Sequence, residues 1–496
     1  MQDEVHVDLA VIGAGAAGLA AATLAAELGC SVEMLDEQVS PGGHMHQAAS
    51  PSSRADPVAT DEHDDREHRL LDAFERSGAR HRAGATVWAI ERVTDTAAQE
   101  TDPKQSGALR IAFSVEGSAS TIVARKLVLA TGAQERPFAI PGGTLAGVTS
   151  TAAVWAALRD GAALPAGPIA LAGCGPLLYQ IADELLTRDA DVIAIFDTLR
   201  RSNLLRALPF AAGFMRSPHF AAGGKLLGRV NDRVKVARGV TALEATGTDT
   251  LAAVRFRGAE ASGQVPVSTL ILHQGLVPAI ALSAALGCAQ EWDERGRWWQ
   301  PRVDAWGATS LPDVHAAGDL TGVRGPLAAE AAGRIAALAI AADLGAITLE
   351  GRDAEARQHQ LRFRAALRGR RFLDTLFMPP PAFRKVADDT IVCTCEGVPA
   401  REVRACVGAG CTGPNQLKAF SRCGMGECRG RLCGLLVTEI IAAQRAVHPA
   451  DVGHYRLRFP TSPVTLAELA SLPRTRADEE AVLPFRGAMP ADGTAR

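Results

Sequence analysis

Seven of the chain's ten cysteines lie between positions 393 and 433, in the stretch CTCEGVPAREVRACVGAGCTGPNQLKAFSRCGMGECRGRLC. Thiols crowded in this way in a reducing compartment point to metal ligands rather than disulfides. A 2Fe-2S cluster needs four thiolates, because sulfur donors share charge with the ferric ions, so seven candidates must be reduced to four. Cys393 and Cys395 form a CxC pair in a loop ahead of a short helix that Pro399 can start. Cys428 sits on the glycine-rich turn GMGEC, and Cys433 falls in the first turn of the last helix. Exposed amides there and the positive end of the helix both favour an anionic centre. Cys423 competes for one position, and Cys406 and Cys411 read as helix-end residues. A structural zinc site uses the same four-thiolate chemistry, but its ligand pairs are usually spaced by two residues or more.

The second chemistry-bearing pattern is at the other end, in VDLAVIGAGAAGLAAATLAAELGCSVEMLDE. An apolar strand, Leu9 to Ile12, runs into Gly13, Gly15 and Gly18, then an Ala/Leu-rich helix, then a strand ending in Asp36 and Glu37. Gly13 permits the tight turn, Gly15 lets the backbone approach a pyrophosphate, and Gly18 lets helix and strand pack closely. Asp36 stands where a carboxylate can bond ribose hydroxyls. A second βαβ pattern, GPIALAGCGPLLYQIADELLTRDADVIAIFD, carries Leu178 where the third glycine belongs. That substitution leaves a second nucleotide, NAD(H) or ATP, as an open question, and Asp197 at the end of its second strand opposes a 2′-phosphate. Cys30, Cys174 and Cys288 are solitary and read as structural, so they offer no redox cysteine pair.

These sites belong to a chain of 496 residues, 47% apolar and 22% charged, with a net charge of −3. That length supports two to four domains with their own cores, and the charge balance gives no footprint for nucleic acid. The uncharged run Leu9 to Ala26 contains three glycines and follows Asp3 and Glu4, so it reads as neither a membrane span nor a signal peptide. The expected location is cytoplasmic.

Three later strings narrow the fold: PGG at 41–43, LVLATGA at 127–133 and TSLPDVHAAGDL at 309–320. With the first fingerprint they resemble the two-dinucleotide-domain flavoproteins related to glutathione reductase, an α/β fold. The resemblance implies FAD, held by Gly13, Gly15, Gly18, Asp36, Glu37, Gly42, Gly43, Thr131, Gly132, Gly318 and Asp319. The cysteine region resembles the small helical domain of bacterioferritin-associated ferredoxin, and more closely its version fused to flavoprotein dehydrogenase subunits. By that resemblance the ligands are Cys393, Cys395, Cys428 and Cys433, with Cys423 spare.

LVLATGAQERPFAIPG, LAGCGPLL, TGPNQLKAFSRCGMGECRGRLCG and YRLRFPTSPVTLAELA together resemble the alpha subunits of opine oxidases and of D-hydroxyproline or related amino-acid dehydrogenases, and the middle subunit of hydrogen cyanide synthase. The resemblance implies an FAD- and 2Fe-2S-containing electron-transfer subunit of a hetero-oligomer. Its companion would be a flavoprotein of the D-amino-acid-oxidase type that oxidises a substrate C–N bond, with a small ferredoxin-like subunit often present. No substrate acid, base or nucleophile stands out in this chain. The competing readings are a self-sufficient NADH-dependent flavin and iron-sulfur reductase, and a non-enzymatic redox-sensing scaffold.

The expected organisation is an FAD-binding domain from 1–145 and 296–348 and a second nucleotide-binding-like domain at 146–295. A basic helix and proline-rich linker follow at 349–388, then a 2Fe-2S domain at 389–450 and a C-terminal extension at 451–496. The arginine-rich run from Gly351 reads as a solvated helix face, or as a surface for a partner subunit or a flavin phosphate.

Overall fold

The computed structural model describes residues 4–43, 62–93, 107–159, 161–259 and 261–472; His44 and His46 of the string PGGHMHQ, which read from the sequence as polar loop residues with a metal pair or flavin neighbours as the alternatives, lie outside them. Strand β1 (Val5–Ile12) is apolar over its last four residues because layers cover both of its faces. It leads through the glycine turn to α1 (Ala16–Glu27), β2 (Val32–Leu35), α2 (Glu62–Ser77) and β3 (Arg80–Arg82). The meander β4 (Thr86–Arg92), β5 (Leu109–Val115) and β6 (Ser118–Leu129) completes most of the first sheet, followed by a short β7 (Ala133–Glu135).

The chain then builds a second unit from β8 (Val148–Ser150), α3 (Thr151–Arg159), β9 (Ile169–Gly173), α4 (Pro176–Thr187) and β10 (Val192–Asp197). Helices α5 (Arg201–Ala207), α6 (Ala211–Met215) and α7 (Pro218–Arg233) follow, then β11 (Lys235–Arg238). An antiparallel sheet of β12 (Val240–Gly247), β13 (Leu251–Gly258) and β14 (Ser262–Pro266) precedes β15 (Thr269–His273). The return runs through β16 (Leu276–Pro278), α8 (Ala281–Leu286), the hairpin β17 (Gln290–Asp293) and β18 (Trp298–Pro301), and β19 (Val314–Ala316).

The first sheet has the order β3-β2-β1-β6-β5-β4, with β19 parallel to the far end of β6, and the second is a parallel sheet in the order β11-β10-β9-β15-β8. Both are nucleotide-binding topologies in which the carboxyl ends of the central strands gather the functional turns. The chain re-enters the first unit earlier than residue 296. Strand β16 already pairs with β7, and Leu282 and Cys288 are buried in the core of the first sheet, so 281–295 belong there on packing grounds.

Helix α9 (Pro326–Asp343) lies on α1, where an added Cβ at Gly333 would sit 2.1 Å from the Ala17 carbonyl oxygen. Only glycine allows so close an approach. The basic stretch is less of a linker than its composition suggests: α10 (Leu349–Ala366) packs along α9, and α11 (Arg370–Leu376) packs on α5.

The cysteine-rich unit has a two-strand ribbon, β20 (Ile391–Cys393) with β21 (Val398–Pro399), and helices α12 (Ala400–Gly408), α13 (Pro414–Ser421), α14 (Gly434–Arg445) and α15 (Pro449–Val452). Its core is small and includes Val403, Leu417, Val437, Ile441 and Tyr455. The chain then returns to the first sheet. The Thr461 N–H donates to the Trp88 carbonyl at 2.9 Å, and α16 (Leu466–Ser471) places the Ser471 hydroxyl oxygen 2.8 Å from the Ala119 N–H that donates to it.

Candidate functional site: a flavin cleft and a cysteine cluster

The glycine turn after β1 is built by contacts that no side chain could share. An added Cβ at Gly13 would lie 2.4 Å from the Ala130 carbonyl oxygen, and one at Gly18 would lie 1.8 Å from that of Gly13. At Gly15 the same position is open, with nothing within 4 Å, at the start of α1. An Ala-rich helix whose first turn faces an unfilled approach fits a pyrophosphate, because the N-terminal amides have no intrahelical partners. Asp36 Oδ2 accepts the Ala14 N–H at 2.5 Å and Oδ1 the Gln38 N–H at 2.7 Å, which fixes the carboxylate at the end of β2 beside the turn; Glu37 follows it.

The other predicted residues converge on the same place. The Gly42 N–H donates to the Ala14 carbonyl, and an added Cβ at Gly43 would be 3.1 Å from the Gly15 Cα. Thr131 and Gly132 follow β6; the Thr131 hydroxyl donates to the Ala279 carbonyl at 3.0 Å, and the space beside Gly132 is open. Gly318, at φ +75°, brings the turn after β19 against α1, since its added Cβ would lie 2.7 Å from the Ala17 Cβ. Burial pushes the Asp319 carboxyl up, while the Arg324 and Gly325 N–H groups, at 2.7 and 3.0 Å from its Oδ1, oppose that rise. Sequence segments hundreds of residues apart thus meet in one cleft whose open, glycine-lined side fits a dinucleotide.

The second unit is arranged differently at the corresponding place. Leu178 is fully buried in its core, among Ile169, Leu171 and Ile181. The Tyr179 hydroxyl donates to Asp197 Oδ2 at 2.6 Å and the Leu199 N–H to Oδ1 at 2.8 Å, so both carboxylate oxygens are engaged. Burial pushes the Asp197 carboxyl up. His273 makes a short contact with Glu135 and brings its Nε2 to 3.3 Å from where a Gly175 Cβ would be. The segment after α11 closes over the same edge: Asn203 Nδ2 donates to the Leu376 and Met378 carbonyls at 3.1 and 2.9 Å.

Among the cysteines the structure gathers three buried sulfurs, those of Cys393, Cys423 and Cys433, within 4.8 Å of one another. Sequence resemblance sets Cys423 aside, and the geometry does not. Arg422 ends α13 in the left-handed conformation at φ +59°, which turns Cys423 inward. The Cys423 and Cys433 thiols both bond the Cys393 sulfur and hold it well below the ordinary thiol range; the Gly424 and Glu396 N–H groups add to this. The same hydrogen bonds hold Cys423 and Cys433 up. Three buried sulfurs drawn within 4.8 Å of one another fit a thiophilic cation or cluster.

Cys395 and Cys428 form a neighbouring pair rather than part of the trio. Cys395 is exposed, bonds both the backbone and the side chain of Cys428, and lies close enough to Cys393 to feel its charge. An added Cβ at Gly426 would be 2.2 Å from the Cys395 Cβ, so this glycine lets the turn rest on the CxC loop. Cys406 closes the last turn of α12, and Cys411 is buried beyond it.

Tyr455 completes the cluster's surroundings, a role that its place in the sequence does not announce. Its hydroxyl donates to the Cys423 carbonyl at 3.0 Å and lies 3.5 Å from the Cys423 sulfur and 4.0 Å from that of Cys433. Added Cβ atoms at Gly424, Gly430 and Gly434 would each come within 3.0 Å of its ring or hydroxyl. Three glycines spaced around the last cysteines were the available signal. The link to the flavin cleft is short: Gln134 on β7, two residues after Gly132, donates from Nε2 to the Arg431 carbonyl at 2.9 Å, in the turn between Cys428 and Cys433. Among the described residues no helix is long and apolar enough to cross a membrane.

Comparison with known proteins agrees with this architecture. Residues 7–336 match the pyridine nucleotide-disulphide oxidoreductase family, and residues 388–472 match the sarcosine oxidase A3 domain. An opine oxidase subunit of Agrobacterium tumefaciens is 40% identical over 96% of this chain and 93% of its own. Hydrogen cyanide synthase subunit HcnB of Pseudomonas aeruginosa is 27% identical over 93% of this chain and 98% of its own. L-proline dehydrogenase from P. horikoshii superposes with a TM-score of 0.67 at 16% identity, covering 94% of this chain and 80% of that one. Thioredoxin reductase from T. acidophilum gives 0.50 at 20% identity over 69% and 99%.

Proposed function

The chain belongs to the pyridine nucleotide-disulphide oxidoreductase family and, along nearly all of its length, to a group of opine oxidase subunits; from that premise we propose that this flavin-dependent oxidoreductase is the FAD- and 2Fe-2S-containing electron-transfer subunit of an opine- or amino-acid-type dehydrogenase. The observation that carries the reading is the buried sulfur trio joined to the flavin-site turn through Gln134. Bound FAD accepts two electrons and releases them singly, and a 2Fe-2S cluster carries one at a time.

The chain's own residues prepare both ends of that relay. Gly13, Gly15, Gly18, Gly42, Gly43 and Gly318 bring backbone to the dinucleotide, the first turn of α1 offers amides to its phosphates, and Asp36 and Glu37 present carboxylates to its ribose. Thr131, Gly132 and Asp319 line the flavin end. Cys393, Cys423 and Cys433 hold the cluster, with a fourth thiolate from Cys395 or Cys428. Tyr455 packs its ring on the glycines around the last cysteines and donates its hydroxyl to the Cys423 carbonyl, and Gln134 ties the flavin-site turn to the cysteine turn. The enclosed Asp197 and the buried Leu178 argue against NADH as the electron source.

Relatives named as subunits point to assembly with other chains. The C–N bond is oxidised in a companion flavoprotein of the D-amino-acid-oxidase type, and electrons reach this chain from it. The hydrogen cyanide synthase type ranks second on its lower identity. Oxygen-free co-purification from the native host tests the reading. A second flavoprotein at equal stoichiometry, with iron and acid-labile sulfide in equal amounts, is the expected result. A homomeric protein that oxidises NADH, or zinc in place of iron, would overturn it.

A further inference from the structure

A cavity of about 600 Å³ lies among α2, α9 and α10, and none of the glycines or carboxylates of the flavin cleft lines it. Six guanidinium groups line it: Arg66 and Arg69 from α2, Arg334 from α9, Arg362 and Arg368 from α10 and the turn after it, and Arg216 from the turn between α6 and α7. One carboxylate, Glu330, opposes them. Its Oε2 accepts from Arg66 Nε and Nη2 at 2.9 and 2.6 Å, and its Oε1 lies 3.4 Å from Arg334 Nε. Glu330 therefore serves two of the six, and the other four have no carboxylate partner among the described residues.

The concentration of charge is built into the packing. Gly369, at φ +77°, allows the turn that bears Arg368 to lie against the turn that bears Arg216; an added Cβ there would be 2.7 Å from the Ser217 Oγ and 3.0 Å from the Phe214 Cα. Phe214 and Phe372 stack behind these turns with centroids 4.4 Å apart and planes within 11°. The two arginines are thus brought together from different units of the chain. Like charges converging in a concavity repel one another and raise the local concentration of anions.

Guanidinium forks match phosphate oxygens bidentately. The rest of the wall is apolar, with Leu70, Leu327, Ala365 and Ala366, and the volume falls in the ordinary range for small-molecule sites. We propose that this cavity binds a phosphate monoester of a small organic molecule, with the phosphate on the arginines and the organic body on the apolar wall. Nucleotides and sugar phosphates share that chemistry.

Isothermal titration of the full-length, FAD-loaded protein tests it with AMP, glucose 6-phosphate, inorganic phosphate and adenosine as separate probes. At least one ester should bind at one per chain, more tightly than inorganic phosphate, while adenosine gives no heat; which ester binds distinguishes the two sources. R216Q and R368Q should each weaken that ester by roughly tenfold or more, the ratio given by a lost charge-assisted hydrogen bond. R364Q, outside the cavity, should leave it unchanged, and the flavin absorbance should be the same throughout. Absence of binding by both esters, inorganic phosphate binding as tightly as either, release of FAD by the ester, or indifference to R216Q and R368Q would each overturn the proposal.

Discussion

Replacing Glu439 with glutamine should loosen the seam between the cysteine-rich unit and the flavin unit. The carboxylate, on α14, is buried; it accepts from Arg297 Nε at 2.8 Å and from Arg384 Nη1 at 2.8 Å. Arg297 belongs to the turn between β17 and β18, and Arg384 to the segment leading into the cysteine unit, so one carboxylate joins three parts of the chain. It also faces the buried Arg136, whose pKa burial lowers to about 10 and which donates to the Gly296 and Arg297 carbonyls. Removing one partner of a buried ion pair costs about 3–5 kcal/mol, and the glutamine carbonyl restores one hydrogen bond of about 1 kcal/mol. The net loss should therefore be about 2–4 kcal/mol. Trp292 and Trp299 report on this seam, because they meet His448 and His454 of the cysteine unit edge-on. Urea unfolding followed by tryptophan fluorescence should show an earlier first transition in E439Q at pH 7. Burial alone would raise the Glu439 carboxyl, but the two arginines hold it below its ordinary value of 4.5. Its contribution is therefore fully present above that pH and is lost as pH falls through the depressed folded value. The gap between wild type and E439Q should shrink below about pH 4.5. A variant within about 0.5 kcal/mol of wild type at pH 7, or a gap that widens in acid, would refute the assignment.

Four further outcomes are expected. C423S should lose iron while retaining FAD, measured by metal content and flavin absorbance, whereas C406S should retain both; full iron in C423S would restore the ligand set that the sequence resemblance implies. Y455F should cost about 1 kcal/mol of stability, because the hydroxyl no longer donates to the Cys423 carbonyl, and should leave iron and FAD content unchanged; loss of iron would give Tyr455 a part in holding the sulfurs. G18A should yield protein without FAD, since its Cβ would lie 1.8 Å from a carbonyl oxygen, while G223A on α7, with nothing within 4 Å, should bind FAD normally. L178G restores the glycine pattern but empties a core position, so it should lose at least the roughly 2–5 kcal/mol of a large-to-small core change without gaining NADH affinity in a fluorescence titration.

The glycine turn was legible because its spacing is carried on one strand-turn-helix segment. Gly18 is demanded by the Gly13 carbonyl in the same turn, although Gly13 itself is demanded by the Ala130 carbonyl just past a strand far away in sequence. The cysteine cluster was legible only in outline. Which sulfurs meet depends on how α13 ends, and the left-handed Arg422 that turns Cys423 inward carries no glycine to announce it. The same reasoning applies to the expected boundary at 296. Strand β16 pairs with β7 ahead of it, a contact between positions far apart in sequence that no local pattern announces. Tyr455 and Gln134 stayed hidden for a related reason, since each is an ordinary residue given its role by a partner distant in sequence, within the cysteine-rich unit for Tyr455 and across units for Gln134.

The return of residues 459–472 to the first sheet has a kinetic consequence. The cysteine-rich unit is held at its entrance by Arg384 and Glu439 and at its exit by the strap across Trp88 and Ala119. A unit fastened at both ends cannot swing in the manner of a tethered shuttle. In the relay proposed above, electrons would cross a fixed gap, so the intramolecular rate should be set by distance and driving force and should be indifferent to solvent viscosity.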